Sequence, residues 1–77
     1  MKTLQEFAEI RDHLSPTEDR LLEDLSATHQ VRVARPNKDE WYVELHAAGE
    51  DLPVGCYGRS VLDAALKLTR HLARQPS

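Results

Sequence analysis

The stretch Gly58–Ala73, GRSVLDAALKLTRHLA, keeps one periodicity from end to end and supplies the largest apolar face of the chain. Ser60 is placed to cap a helix. Its hydroxyl can accept a backbone N–H of the first turn, and Asp63 stands at the third helical position to reach back. The same carboxylate lies near the positive end of the helix dipole. At about 100° per residue, Val61, Leu62, Ala65, Leu66, Leu68, Leu72 and Ala73 fall on one broad side, and Arg59, Asp63, Lys67, Arg70, His71 and Arg74 on the other. A face of that width is the floor of a core. The cations gather toward the C-terminal end, where the dipole favours them, and Pro76 is a fitting stop.

Upstream of this helix the period changes from 3.6 to 2. Val54-Gly55-Cys56-Tyr57 reads as a short strand, preceded by a turn over Ala48-Gly49-Glu50-Asp51-Leu52-Pro53. Trp41, Val43 and Leu45 alternate with Tyr42, Glu44 and His46, the pattern of a half-buried strand. Arg35-Pro36-Asn37-Lys38-Asp39 is a turn by composition, and before it Val31 and Val33 alternate with Arg32 and Ala34. Ser15-Pro16-Thr17-Glu18 combines a capping serine, a proline at the first helical position and a box-closing glutamate. It predicts a helix to about Ala27 with a narrow stripe of Leu21, Leu22 and Leu25. Thr3-Leu4-Gln5-Glu6 is a second capping box, and Leu4, Phe7, Ala8, Ile10 and Leu14 recur at helical spacing. The expectation there is a helix from Thr3 to about His13. The predicted fold is α+β in the order α-α-β-β-β-α: one domain over residues 1–77, with a three-stranded antiparallel sheet and its helices packed on one face.

The 77 residues are 40% hydrophobic and 30% charged, an ordinary globular composition. A chain of this size buries only roughly 60% of its unfolded surface, so a second copy or a partner would add needed stability. The apolar runs are too short for a transmembrane helix. Glu6 and Glu9 interrupt the apolar core that a signal peptide requires, and a single cysteine fits a reducing compartment. The expectation is a cytoplasmic protein. The net charge of −3 is unevenly spread: residues 1–30 carry seven acids against three bases, residues 31–77 six acids against seven bases.

Tyr57-Gly58-Arg59-Ser60 ahead of the last helix, followed by Ala64 and Ala65, resembles the pattern that opens the second helix of double-stranded-RNA-binding domains. The resemblance spans about residues 18–74 and extends to the helix, three antiparallel strands, helix order. It implies helices on one sheet face and duplex RNA as partner. That family grips phosphates with a lysine cluster at the start of the last helix. Here the equivalent stretch is Val61-Leu62-Asp63, with one acid and no lysine. Phosphate contacts supply most of the affinity for nucleic acid, so the resemblance carries the architecture and not the activity.

Three sets of residues are candidates for contact with another macromolecule. Glu6, Glu9, Asp12, Glu18, Asp19, Glu23 and Asp24 are dense for two short helices, and such a surface steers association with a basic partner; the plain alternative is a solvated helix face with acids favoured near N-termini. Arg59, Lys67, Arg70 and Arg74 could track a phosphate backbone, or be the wet side of an amphipathic helix. Tyr42, His46 and Tyr57 would occupy the bare side of the sheet, as a partner surface or a homodimer seam.

Catalytic chemistry finds little support. His13, His29, His46, His71 and Cys56 show no zinc-ligand spacing. His46 and Cys56 could approach across a turn as a nucleophile pair, but no third group orients them, and a small cysteine packed on the inner face of its strand is the simpler reading. No glycine loop cradles a phosphate. The sequence points to a non-catalytic protein without cofactor or metal: a small acidic inhibitor or accessory factor that binds another protein, of the kind phages and mobile elements encode. The alternative is a nucleic-acid-binding domain working through the basic face of the last helix.

Overall fold

In the computed structural model, which describes residues 4–74, the chain folds as α+β around a four-stranded antiparallel sheet. Strand β1 is Gln5–Glu6, β2 His29–Asn37, β3 Glu40–Ala47 and β4 Val54–Gly58, and they lie side by side in that order. Helix α1 is a single turn, Phe7–Ile10, continued by a 3₁₀ turn over Arg11–His13. Helix α2 spans Pro16–Ser26 and α3 spans Val61–Arg74.

The expected three-stranded sheet is therefore corrected to four, and the expected first helix to a strand, one helical turn and a 3₁₀ turn. Its proposed cap, Thr3, lies outside the described residues, as does the proposed stop at Pro76. The reason is tertiary. A short isolated helix is marginal in water, whereas Gln5 and Glu6 can pair with Val33 and Arg32 and cover the open edge of β2. Gln30 Nε2 and Arg32 Nε then donate to Glu6 Oε1 at 2.7 and 3.2 Å. Phe7 and Ile10, the strongest apolar positions of the segment, remain in the core.

The two longer helices form where the caps place them. Ser15 Oγ accepts from the Glu18 N–H at 3.2 Å, and Glu18 Oε1 accepts from the Ser15 N–H at 3.0 Å, a complete capping box with Pro16 at the first position. At α3 the Asp63 N–H donates to Ser60 Oγ at 3.1 Å, while Asp63 Oδ2 accepts from the Arg59 N–H, one residue before the cap.

Both helices lie on one side of the sheet. Val31, Val33, Val43 and Leu45 from the strands meet Leu22 of α2 and Val61, Ala64, Ala65 and Leu68 of α3, with Phe7 and Ile10 joining from α1. The buried face of α3 is turned from the expected one: Ala64 is fully enclosed, and Leu66 is 41% exposed. Gly58 explains part of this. A Cβ there would sit 2.6 Å from the Ala64 backbone nitrogen, so the start of α3 lies directly on the end of β4.

The turn expected over residues 35–39 is also shorter in the structure. Strand β2 runs through Asn37, with an irregularity in its pairing to β3 between Ala34 and Asn37. Pro36 sits in that interval, where a residue without an N–H is tolerated.

Candidate functional site: the open face of the sheet

Period-2 alternation sends Val31, Val33, Val43, Leu45 and Cys56 to the helices and Arg32, Ala34, Tyr42, Glu44, His46 and Tyr57 to the opposite face. The pairing aligns these outward residues across strands. Glu6 lies beside Arg32, Arg32 beside Glu44, and Glu44 beside Gly55. The adjacent row holds Ala34, Tyr42 and Tyr57. The result is a line of alternating charge next to an aromatic pair.

These side chains hold one another. Arg32 bridges two carboxylates, with Nε 3.2 Å from Glu6 Oε1 and Nη1 4.0 Å from Glu44 Oε2. The Tyr42 hydroxyl donates to Glu44 Oε1 at 3.3 Å, and its ring lies over Gly55, where any side chain would strike the phenol. Tyr57 packs against Tyr42 with ring centroids 4.8 Å apart and planes inclined at 44°. Glu44 is consequently only 8% exposed although, among the described residues, no helix covers this face, while Tyr57 is 55% exposed. His46 stands further along β3, its Nε2 2.8 Å from the Glu50 carbonyl oxygen. The three residues expected on the bare side of the sheet thus share one face, and Tyr42 and Tyr57 touch. Arg32 and Glu44 were missed as candidates, although the same alternation would have placed them there.

Burial pushes the Tyr42 phenol above its ordinary pKa of about 10, and the Glu44 charge adds to this. A raised value in the folded state means stability that is intact below the unfolded phenol's pKa and is lost as pH rises through the folded one. Spectrophotometric titration of the folded protein should show one phenol ionising later than a free tyrosine. Tyr42→Phe should remove that late component.

The seven acids are spread over β1, α1, the 3₁₀ turn and α2, and four are engaged inside the fold. Glu6 serves the sheet row described above. Glu18 caps α2 with one oxygen and with the other accepts from the Leu62 N–H of α3 at 3.0 Å, which ties the two helix starts together. Asp19 pairs with Arg11 at 2.9 Å, and Glu23 lies 3.5 Å from the same guanidinium. Arg11 also lies over the Phe7 ring. Glu9, Asp12 and Asp24 have no hydrogen-bonding or ionic side-chain partner among the described residues.

Of the basic set, Arg59 is brought together with residues that the sequence reading did not include. Arg35, Lys38, Asp39, Trp41 and Arg59 line one shallow depression at the β2–β3 turn. The Arg35 guanidinium lies 5.0 Å from the centre of the Trp41 ring and donates to the Lys38 carbonyl oxygen. Lys67 donates to the Tyr57 carbonyl oxygen at 3.1 Å and pairs with Asp63 at 3.4 Å. The Arg59 N–H and Lys67 hold the Asp63 carboxyl below its usual range, the former being the larger cause. Arg70 and Arg74 continue the Lys67 stripe along α3.

His46 and Cys56 do not face each other. Cys56 pairs with Val43 and packs against the core, whereas His46 belongs to the outer face. His29 Nδ1 is 2.8 Å from Thr28 Oγ1. Among the described residues, no three His, Cys, Asp or Glu side chains cluster as metal ligands, and no helix is long and apolar enough to cross a membrane. Neither family models, nor curated proteins, nor solved structures yield a match to this chain.

Proposed function

We propose that this is a small non-catalytic domain that binds another protein through the open face of its sheet, as an accessory or inhibitory factor. The observation that supports it is the Tyr42–Tyr57 pair beside a nearly enclosed Glu44 on the side no helix covers. Side chains already fixed by one another lose little freedom on binding, and exposed tyrosine and arginine are the residues that carry most binding energy at protein interfaces. Of the acidic set, Glu6 lies on this surface, and Gln30, Arg32 and His46 supply a polar rim.

A second reading rests on the depression at the β2–β3 turn. Arg35, Lys38 and Arg59 converge about Trp41 in a chain of net charge −3, and with Lys67, Arg70 and Arg74 they could track the phosphates of a nucleic acid.

Affinity capture with tagged protein separates the two. Proteins retained by the wild type should be lost with Tyr57→Ala, a surface change, and with Arg32→Ala, which removes the bridge between Glu6 and Glu44, and kept with the double change Lys38→Glu, Arg59→Glu. An identical captured set for the wild type and both sheet-face variants would falsify the sheet-face reading. Binding of labelled RNA at low salt that disappears in the Lys38, Arg59 variant would establish the second reading instead.

A further inference from the structure

Helices α2 and α3 leave a shallow groove between them, apart from the open sheet face. Leu21, Leu62 and Leu66 form its apolar floor, Pro16 closes one end, and Arg20 and Asp24 stand on its rim. Leu21 and Leu62 are half-buried and Leu66 is 41% exposed. Apolar strips rimmed by polar residues occur at association surfaces. Arg20 and Asp24 have no ionic or hydrogen-bonding side-chain partner among the described residues, although they carry opposite charges one helical turn apart.

We infer that this groove is a two-fold seam between two copies of the chain. A two-fold interface must be self-complementary, each patch meeting its own image. Arg20 and Asp24 satisfy that condition on one element. When α2 packs antiparallel against α2 of a second copy, Arg20 of each falls opposite Asp24 of the other, and two reciprocal ion pairs form. The same operation brings the two leucine floors together and removes Leu66 from water on both sides. A partner with a uniformly basic or acidic surface would satisfy one rim charge and repel the other, which favours a second copy as the occupant. The association also adds apolar burial to a chain whose size leaves a thin margin. It leaves the open sheet face free, so the seam and the proposed partner surface are independent.

Sedimentation equilibrium over a concentration series tests the inference. The wild type should show twice the 8.8 kDa monomer mass at high concentration and dissociate on dilution. Leu66→Asp should raise the dissociation constant by about a hundredfold, and Arg20→Asp, which turns two attractions into repulsions, by about tenfold. The double change Arg20→Asp, Asp24→Arg restores both pairs and should restore the dimer. All three positions lie at the surface, so far-UV circular dichroism should be unchanged, and Leu66→Gln gives a milder form of the same loss. A monomer at every concentration overturns the inference. So does a dimer indifferent to Leu66→Asp, a charge swap that fails to restore association, or a dimer lost in Tyr57→Ala, which would place the seam on the sheet.

Discussion

Leu68→Ala is expected to cost about 2–5 kcal/mol of stability, the range for truncating an enclosed leucine that leaves a cavity. Leu68 is fully buried on the inner face of α3, within the cluster that joins that helix to the inward valines and Leu45 of the sheet. The neighbours that would have to collapse into the space sit on β-strands whose positions are fixed by pairing. A domain of this length has a total stability on the order of 4–11 kcal/mol, so the change removes a large share of it and leaves the variant near its midpoint on mild heating. In urea the midpoint should fall steeply with an unchanged slope, since the surface exposed on unfolding is nearly the same. Leu66→Ala, two residues away on the exposed side, should move the monomer's midpoint little. Similar costs for the two would mean that α3 does not present to the sheet the face described above.

The second large effect is expected from the smallest change. Gly58→Ala should destabilise by about 1–3 kcal/mol, the cost of forcing an extra methyl into a filled site. The added Cβ would stand 2.6 Å from the Ala64 nitrogen and 3.0 Å from its Cα, both backbone atoms of the first turn of α3, and 2.8 Å from Asp63 Oδ2. A side chain could swing aside, but a helix backbone already capped by Ser60 cannot move without opening its own contact with the sheet. The backbone at Gly58 is not in the left-handed region, which among the described glycines is occupied only by Gly49. The cost at Gly58 is therefore packing and not conformation, and the reduced freedom of the unfolded chain offsets only a few tenths to about 1 kcal/mol of it. Thermal unfolding of Gly58→Ala beside Gly49→Ala checks this. Both should be destabilised, but only the first should also weaken the Arg59–Asp63 contact, visible as a smaller acid-side dependence. Asp63 has its carboxyl held below the ordinary range by that contact, so its contribution is present above the unfolded pKa and is lost as pH falls through the lowered one.

Several surface assignments change once the contacts are known. Glu18 belongs by sequence to an acidic face, and one of its oxygens was expected to close the α2 box. Its other oxygen holds the Leu62 N–H, 44 positions along the chain. Its replacement would therefore report on helix docking as well as on charge. Asp19 and Glu23, counted as a binding surface from their density, hold Arg11 in place. Leu66 lies at the edge of the apolar arc of α3, and nothing in the 3.6 period distinguishes an edge position that faces the sheet from one that faces a groove.

What the sequence determined was local in origin. Ser15-Pro16-Thr17-Glu18 and Ser60 set two helix starts because a cap is made by residues three apart. The alternation of Val31 to Leu45 set two strands and their inner faces because a strand's side chains have a period of two. The tertiary structure decided whatever depended on partners far along the chain. Gln5 and Glu6 form a strand and not a helix because β2 offers an edge and Arg32 a countercharge, 26 positions from Glu6. Strand pairing likewise put Tyr57 on Tyr42, and it brought Arg59 beside the Arg35–Trp41 contact at the β2–β3 turn. Caps and periodicity are energies between neighbours in sequence, whereas pairing and packing are energies between neighbours in space.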